Sequence, residues 1–301
     1  MKRRHFIKTT SASALFLGAP TFGHAVFSSK PRKHITILHT NDVHSHIDPF
    51  ESDAGKKANK GGVARRAAVI NKIREENPNT LLFDAGDIFQ GTPYFNFYGG
   101  ALELKLMSLM KYDAGTIGNH EFDNGIEGLL APLHHAKFDL VNSNYDFSNT
   151  VMNGHTKPYK IFEKEGVKIG VFGLGVQLEG LVIKSAYKET VYIDPLEIAQ
   201  DMSKLLKHEK QCDLVICLSH LGYEYTKTNQ ISDVKIAKNT QDIDLIIGGH
   251  THTFLEKPTE IENVVGKTVL VNQVGCHGLY LGRVDFYLEE SQKNTGEPLS
   301  I

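Results

Sequence analysis

Five short stretches of this chain place carboxylates, an amide and imidazoles where apolar runs end. "TNDVHSH" gives Asp42 and His44 one residue apart, "DAGDIFQG" gives Asp87 behind a glycine, and "GNHEFD" gives Asn119, His120 and Asp123. "LVICLSHLG" delivers His220, and "LIIGGHTH" delivers His250 and His252 after two glycines. Oxygen donors mixed with imidazole suit Mn, Zn, Fe or Mg better than a soft metal, which would want thiolates. Asp42, His44, Asp87, Asn119, His220, His250 and His252 are too many donors for one ion of about four to six ligands. Two metals about 3.5 to 4 Å apart, bridged by one carboxylate, would use them all and activate a water between them.

Taken singly, each residue has an ordinary reading. A histidine after a strand is usually a surface or hydrogen-bonded residue, Asp42 could cap a turn or helix, and Asn119 could form a turn. Their coincidence at successive strand exits points instead to one shared site, because ligand sites of open α/β sheets gather where strands end. Asp84 is expected to support the site or the fold. The other histidines, His39, His46 and His277 among them, lack this context and are expected to be structural or exposed.

The elements that must position these residues are legible as period. Apolar, β-branched runs at 34 to 40, 80 to 85, 168 to 174, 213 to 219, 244 to 249, 267 to 274 and 282 to 288 read as strands, with a short strand candidate just before residue 118. Helical spacing recurs between several of them. Val63, Ala67, Ile70 and Ile73 form one apolar face, Leu102, Leu106, Leu109 and Met110 another, and Ile198, Met202, Leu205 and Leu206 a third. The last helix has Asp194 as N-cap and Pro195 at its first position. Strands alternating with helices predict a layered α/β domain with helices over its sheets. The polar segment 48 to 62 reads as a loop, and the tail 289 to 301 as flexible.

The chain has 301 residues, 41% of them hydrophobic and 23% charged, a globular composition with enough length to bury a core. No stretch is long and apolar enough for a membrane span. Residues 1 to 25 differ: Lys2, Arg3, Arg4 and Lys8 without any acid precede a weakly apolar stretch and Gly23-His24-Ala25, the pattern of a signal peptide. The pair in "RRHFIK" resembles the twin-arginine export signal, which predicts a bacterial, periplasmic or otherwise exported protein. Without those residues 29 basic side chains face 35 acidic ones, a net of −6. No basic block remains to neutralise a phosphate backbone, so polymeric nucleic acid is not expected as a partner. Cys212, Cys217 and Cys276 are expected to be thiols in or beside apolar runs rather than a disulfide framework.

"D-V-H", "G-D", "G-N-H-E-F-D", a strand-end histidine and "G-G-H-T-H" together resemble the signature of the calcineurin-like metallophosphoesterases, in their 5'-nucleotidase branch. The likeness runs from about residue 34 to 288 and includes "GGVAR" and "LGRVDF". It implies two packed mixed β-sheets flanked by helices, a four-layer αββα sandwich in a domain at 34 to 288, and a dinuclear centre. By position, Asp42, His44, Asp87 and His252 would hold one metal, and Asp87, Asn119, His220 and His250 the other. The implied reaction is hydrolysis of a phosphomonoester, such as a nucleoside 5'-monophosphate, by a hydroxide between two divalent metal ions. His120 would stabilise the transition state or protonate the leaving oxygen, with Asp123 orienting its imidazole.

The two-domain nucleotidases that this chain resembles continue for about 200 further residues into a domain that grips phosphate and base. This chain could act alone on small phosphate esters, or a separate nucleotide-binding chain could supply that domain. A thiosulfohydrolase on the same scaffold is the rival enzyme. A metal-stabilised binding subunit without turnover is the rival of another class, and retention of every ligand and of the His-Asp pair argues against it.

Overall fold

Strand β1 (His34–Thr40) is buried along nearly its whole length because it has neighbours on both edges and cover on both faces. It runs parallel to β2 (Thr80–Asp84) and antiparallel to β13 (Tyr280–Tyr287). Short β3 (Ala114–Gly115) and β4 (Asp139–Leu140) extend the parallel side, and β14 (Thr295–Ser300) closes the other edge, giving the order β14-β13-β1-β2-β3-β4. The computed structural model describes residues 33–226, 230–288 and 293–301; the expected signal segment, 1 to 25, lies outside them.

A second sheet has the order β11-β12-β10-β9-β7-β6. Its members are β6 (Tyr159–Lys164), β7 (Val167–Leu174), β9 (Leu214–Ser219), β10 (Leu245–Gly248), β11 (Thr259–Glu262) and β12 (Thr268–Asn272). Strands β5 (Tyr145–Asp146) and β8 (Val191–Tyr192) form a separate small ribbon. Because strand side chains alternate, each large sheet buries two different sets. Ile35, Ile37, Leu81 and Phe83 meet Ile169, Val171, Ile216 and Ile247 between the sheets. Leu38 and Leu82 face outward onto α1 (Val63–Glu76) and α3 (Ala101–Leu109) through Ile70, Ile73, Leu104 and Met107. Val215, Cys217, Ile246 and Val271 face α6 (Pro195–Lys204) and α7 (Asp233–Asn239). Three apolar seams therefore separate four layers, each fully buried Leu, Ile or Phe contributing about 1.5 to 3 kcal/mol.

Local chemistry agrees with the sequence at α6, where Asp194 Oδ1 accepts from the backbone N–H groups of Leu196 and Glu197 at 2.8 and 3.2 Å. It differs at α3. Glu103, Leu104, Met107 and Met110 are buried, whereas Leu109 is 76% exposed. Apolar residues occur on nearly every side of that helix, so spacing alone selects the wrong face.

The expected flexible tail needs correction. Residues 295 to 300 are an edge strand paired with β13, and Ile301 is buried in the outer seam beneath α1 and α3. The strand "TGEPLS" is held by backbone pairing and buries no continuous apolar face, so hydropathy did not reveal it. The domain thus extends past 288. Cys212 and Cys217 are buried free thiols, and Cys276 is a half-buried one.

Candidate metal centre

The donors converge from the carboxyl ends of both sheets. Asp42 and His44 follow β1, Asp87 follows β2, Asn119 and His120 follow β3, His220 follows β9, and His250 and His252 follow β10. Five of them, Asp42, His44, Asp87, His250 and His252, hold positive φ angles between 49° and 73°. Non-glycine residues adopt that region at a cost and persist there where surrounding structure enforces it, commonly at functional sites. The glycines beside them are demanded by space. A Cβ on Gly249 would stand 2.8 Å from His220 Nδ1, and one on Gly118 would collide with the Asp87 carboxylate.

Two trios form, each with donor atoms within 4.8 Å of one another: Asp42, His44 and His252, and Asp87, His220 and His250. The trios adjoin. Asp87 Oδ2 lies 3.0 Å from His220 Nε2 and 3.9 Å from His44 Nε2, and Asp42 Oδ1 lies 3.5 Å from His252 Nε2 and 3.9 Å from His220 Nε2. Asn119 Oδ1 joins the second trio, 2.9 Å from His250 Nδ1.

The donor set fits cations. His220 Nδ1 is 2.7 Å from the Ala85 carbonyl, which fixes the ring proton there, while Nε2 is fully buried and has no hydrogen-bond partner. Its lone pair therefore confronts a carboxylate oxygen. His44 Nδ1 likewise approaches the Phe89 carbonyl, and its Nε2 stands 3.0 Å from His252 Nε2. Converging lone pairs are stable around a positive charge, and imidazoles oriented by a carbonyl on the far nitrogen are the usual form of metal-binding histidine. Without a cation, protons take its place. Burial lowers the His220 pKa, but the charges of Asp87 and Asp42 outweigh it and bring it to about 10. His250 is drawn down to about 4 by burial and by His220.

His120 stands apart at the open side of the cluster, its ring centroid 5.2 Å from that of His44. Its Nδ1 lies 2.8 Å from Asp123 Oδ2, and that hydrogen bond raises its pKa. Its backbone N–H donates to Asp87 Oδ1 at 2.9 Å, tying the His120–Asp123 pair to the donor cluster.

Three buried side chains that the sequence did not single out hold the loops. Glu121 accepts backbone N–H groups of Asp87, Ile88, Phe89 and Gly118, welding the β2 and β3 exits together. Burial and the Asp87 charge push its pKa up to about 7, against the backbone donors that favour its ionised form. Asn41 donates to Asp42 Oδ2 at 2.7 Å and to the Gly275 carbonyl at 2.6 Å. Gln273 accepts from Thr251 and Thr253 and donates to the Gly249 carbonyl, clamping the Gly-Gly turn. Their only sequence signal is a polar residue inside an otherwise apolar or ligand-bearing stretch. Asp84 supports the fold as expected, accepting from Thr40 Oγ1 and the Gly86 N–H. His277 and His46 are half-buried beside the cluster, their rings 4.1 Å apart and tilted by 37°, with the His277 ring centroid 6.0 Å from that of His44.

Residues 35–254 match the family model of the calcineurin-like phosphoesterases. A snake venom 5'-nucleotidase from Crotalus adamanteus is 34% identical over 299 residues, spanning 89% of this chain and 48% of its own. The trifunctional nucleotide phosphoesterase YfkN of Bacillus subtilis is 35% identical over 288 residues, 85% of this chain and 18% of its own. A solved 5'-nucleotidase precursor from Thermus thermophilus superposes with a TM-score of 0.81 at 33% identity, covering 89% of this chain and 55% of that one. The chain spans about half the length of most of the relatives it matches. It belongs to the calcineurin-like phosphoesterase family, whose members use divalent metal ions.

Proposed function

We propose that this calcineurin-like phosphoesterase is an exported hydrolase of phosphomonoesters, nucleoside 5'-monophosphates foremost, working on two divalent cations. The observation that carries the reading is the meeting of two donor trios at Asp87 with the His120–Asp123 pair on their open side. Asp42, His44, Asp87 and His252 would hold one cation, and Asp87, Asn119, His220 and His250 the other. When bound, such cations neutralise charge on a phosphoryl group and lower the pKa of water.

The remaining work falls to the chain's own groups. His120 keeps one proton at Nδ1 against Asp123 and, in its charged form, a second at Nε2, where it can be given to a departing alkoxide. Asp123 fixes the ring and favours that charged form. Glu121, Asn41 and Gln273 hold the donor loops in place before substrate arrives, which spares reorganisation during the reaction. The basic, acid-free residues 1 to 25 support export by a twin-arginine route.

The test is phosphate release by the purified chain from AMP, a 2',3'-cyclic nucleotide and p-nitrophenyl phosphate, with Mn, Zn, Mg or a chelator present. Chelator-sensitive release from AMP is expected. Release from none of the esters with any metal would sink the reading.

A further inference from the structure

Immediately after β7 the chain enters a cleft that neither donor trio nor the His120–Asp123 pair occupies. Its volume is about 370 Å³, within the span of about 300 to 1,000 Å³ usual for small-ligand pockets. Tyr145, Tyr187, Leu178 and Thr190 are its buried residues, Tyr192 is a half-buried wall, and Gln177, Glu179 and Lys184 are exposed at its rim. The aromatic content is high and one buried group is unspent: Thr190 is 5% exposed, and its Oγ1 is fully buried with no hydrogen-bond partner. A buried hydroxyl without a partner is costly unless something absent from the chain completes it.

The cleft is tied to the candidate centre on two sides. The Leu174 carbonyl accepts the backbone N–H of His220 at 2.8 Å, and Leu174 is followed by Gly175 and Val176 and then by Gln177 of the rim. Tyr145 meets Phe122 edge to face, with centroids 6.0 Å apart, and Phe122 directly precedes Asp123. The floor is rigid: the Tyr145 hydroxyl donates to the Val176 carbonyl, and Asn144 exchanges two hydrogen bonds with Gly175 at 2.7 and 2.9 Å.

We propose that this tyrosine-lined cleft is a subsite for the planar heteroaromatic base of a nucleotide leaving group, so that this chain carries base recognition of its own. The proposal rests on the phosphomonoesterase reading above. The chemistry selects a base over a second phosphate or a sugar. The half-buried Tyr192 ring offers a face for stacking, which every base can use and which contributes about tenfold to a hundredfold in affinity per base. The Gln177 amide, exposed at the rim, offers a donor and an acceptor to a base edge, and Thr190 Oγ1, enclosed in the wall, is the buried group still without a partner. Lys184, the one cation among the lining residues, has its ammonium 4.4 Å from the Tyr187 ring centroid and is already engaged with that ring.

The experiment combines two readouts on the full chain. Adenosine binding, measured by equilibrium dialysis, needs no turnover, and the ratio of kcat/KM for AMP to that for ribose 5-phosphate isolates the base. Tyr192→Ala is expected to weaken adenosine about tenfold and to lower the ratio by a similar factor, mainly through KM. Thr190→Val keeps side-chain volume and is the safeguard should the larger truncation misfold. It is expected to weaken adenosine severalfold while leaving the melting temperature equal or higher, since it removes an unpaired buried hydroxyl.

A cleft that serves only the fold gives the reverse, with lower melting temperature and equal losses on both esters. Absence of adenosine binding, or binding unchanged in both variants, overturns the proposal while leaving the phosphoesterase reading intact. Adenosine binding that Thr190→Val weakens in a chain that hydrolyses neither ester sustains the cleft and removes the reading on which its catalytic role depends.

Discussion

The Nε2 nitrogen of His220 stands 3.0 Å from Oδ2 of Asp87, wholly buried and without a hydrogen bond, while its Nδ1 is committed to the Ala85 carbonyl. A ring so oriented presents a lone pair to a carboxylate, an arrangement that a cation between them resolves. The same logic separates binding from chemistry among the neighbouring residues.

Asp87→Asn is expected to lose metal and activity together, because Asp87 belongs to one trio and its Oδ2 lies 3.9 Å from His44 Nε2 of the other. His120→Asn is expected to keep bound metal and lower kcat by roughly 10² to 10⁴. Metal content of the two purified variants, measured beside their turnover, checks this; equal metal loss in both contradicts a catalytic His120.

The His120 pKa is raised first by its hydrogen bond to Asp123. If the charged imidazole is the acid, activity falls as pH rises through that pKa. Asp123→Asn removes the hydrogen-bonded carboxylate, so the alkaline limb of the pH–rate profile is expected to move to lower pH. A limb that stays in place would assign it to another group.

Glu121 receives four backbone N–H groups from the two loops that carry Asp87 and Asn119. Glu121→Gln puts an amide donor where only acceptors fit, leaving buried N–H groups unpaired at about 1 to 3 kcal/mol each. The expected outcome is a lower denaturant midpoint and weaker metal affinity, the latter by about 10- to 100-fold. Wild-type metal affinity in a destabilised variant would limit Glu121 to a structural role.

His39 is fully buried in the strand behind the site, and burial lowers its pKa to about 3. The unfolded chain therefore binds a proton at ordinary histidine values, near 6.5, that the folded chain refuses. The corresponding stability is present above pH 6.5 and is lost as pH falls toward 3, with a ceiling of about 1.4 kcal/mol per pKa unit. His39→Asn is expected to flatten the fall in melting temperature between pH 7 and 4. An unchanged slope would place the acid sensitivity elsewhere.

Much of this was legible in the chain. "GGHTH" reads directly: the glycines admit His220 and the turn, and His250 and His252 then enter separate trios. The parallel strands were plain because burial on both faces makes them continuous apolar runs. What escaped has physical reasons. Strand β14 is a backbone edge with no apolar alternation, and the buried side of α3 was masked by apolar residues all round. Glu121, Asn41 and Gln273 act through long-range contacts to backbone groups, which no local spacing encodes. His277 reaches the cluster from a loop more than 200 residues after His44, through its N–H to the Asp42 carbonyl at 2.7 Å.

Two cations held at Asp87, as proposed, would make this chain a phosphoesterase. The most direct test is titration of the metal-stripped protein with Mn, following phosphate release from AMP against equivalents of metal bound. Activity is expected to rise with the second equivalent and level at two per chain. Full activity at one equivalent, or release that persists without metal, would contradict the proposal.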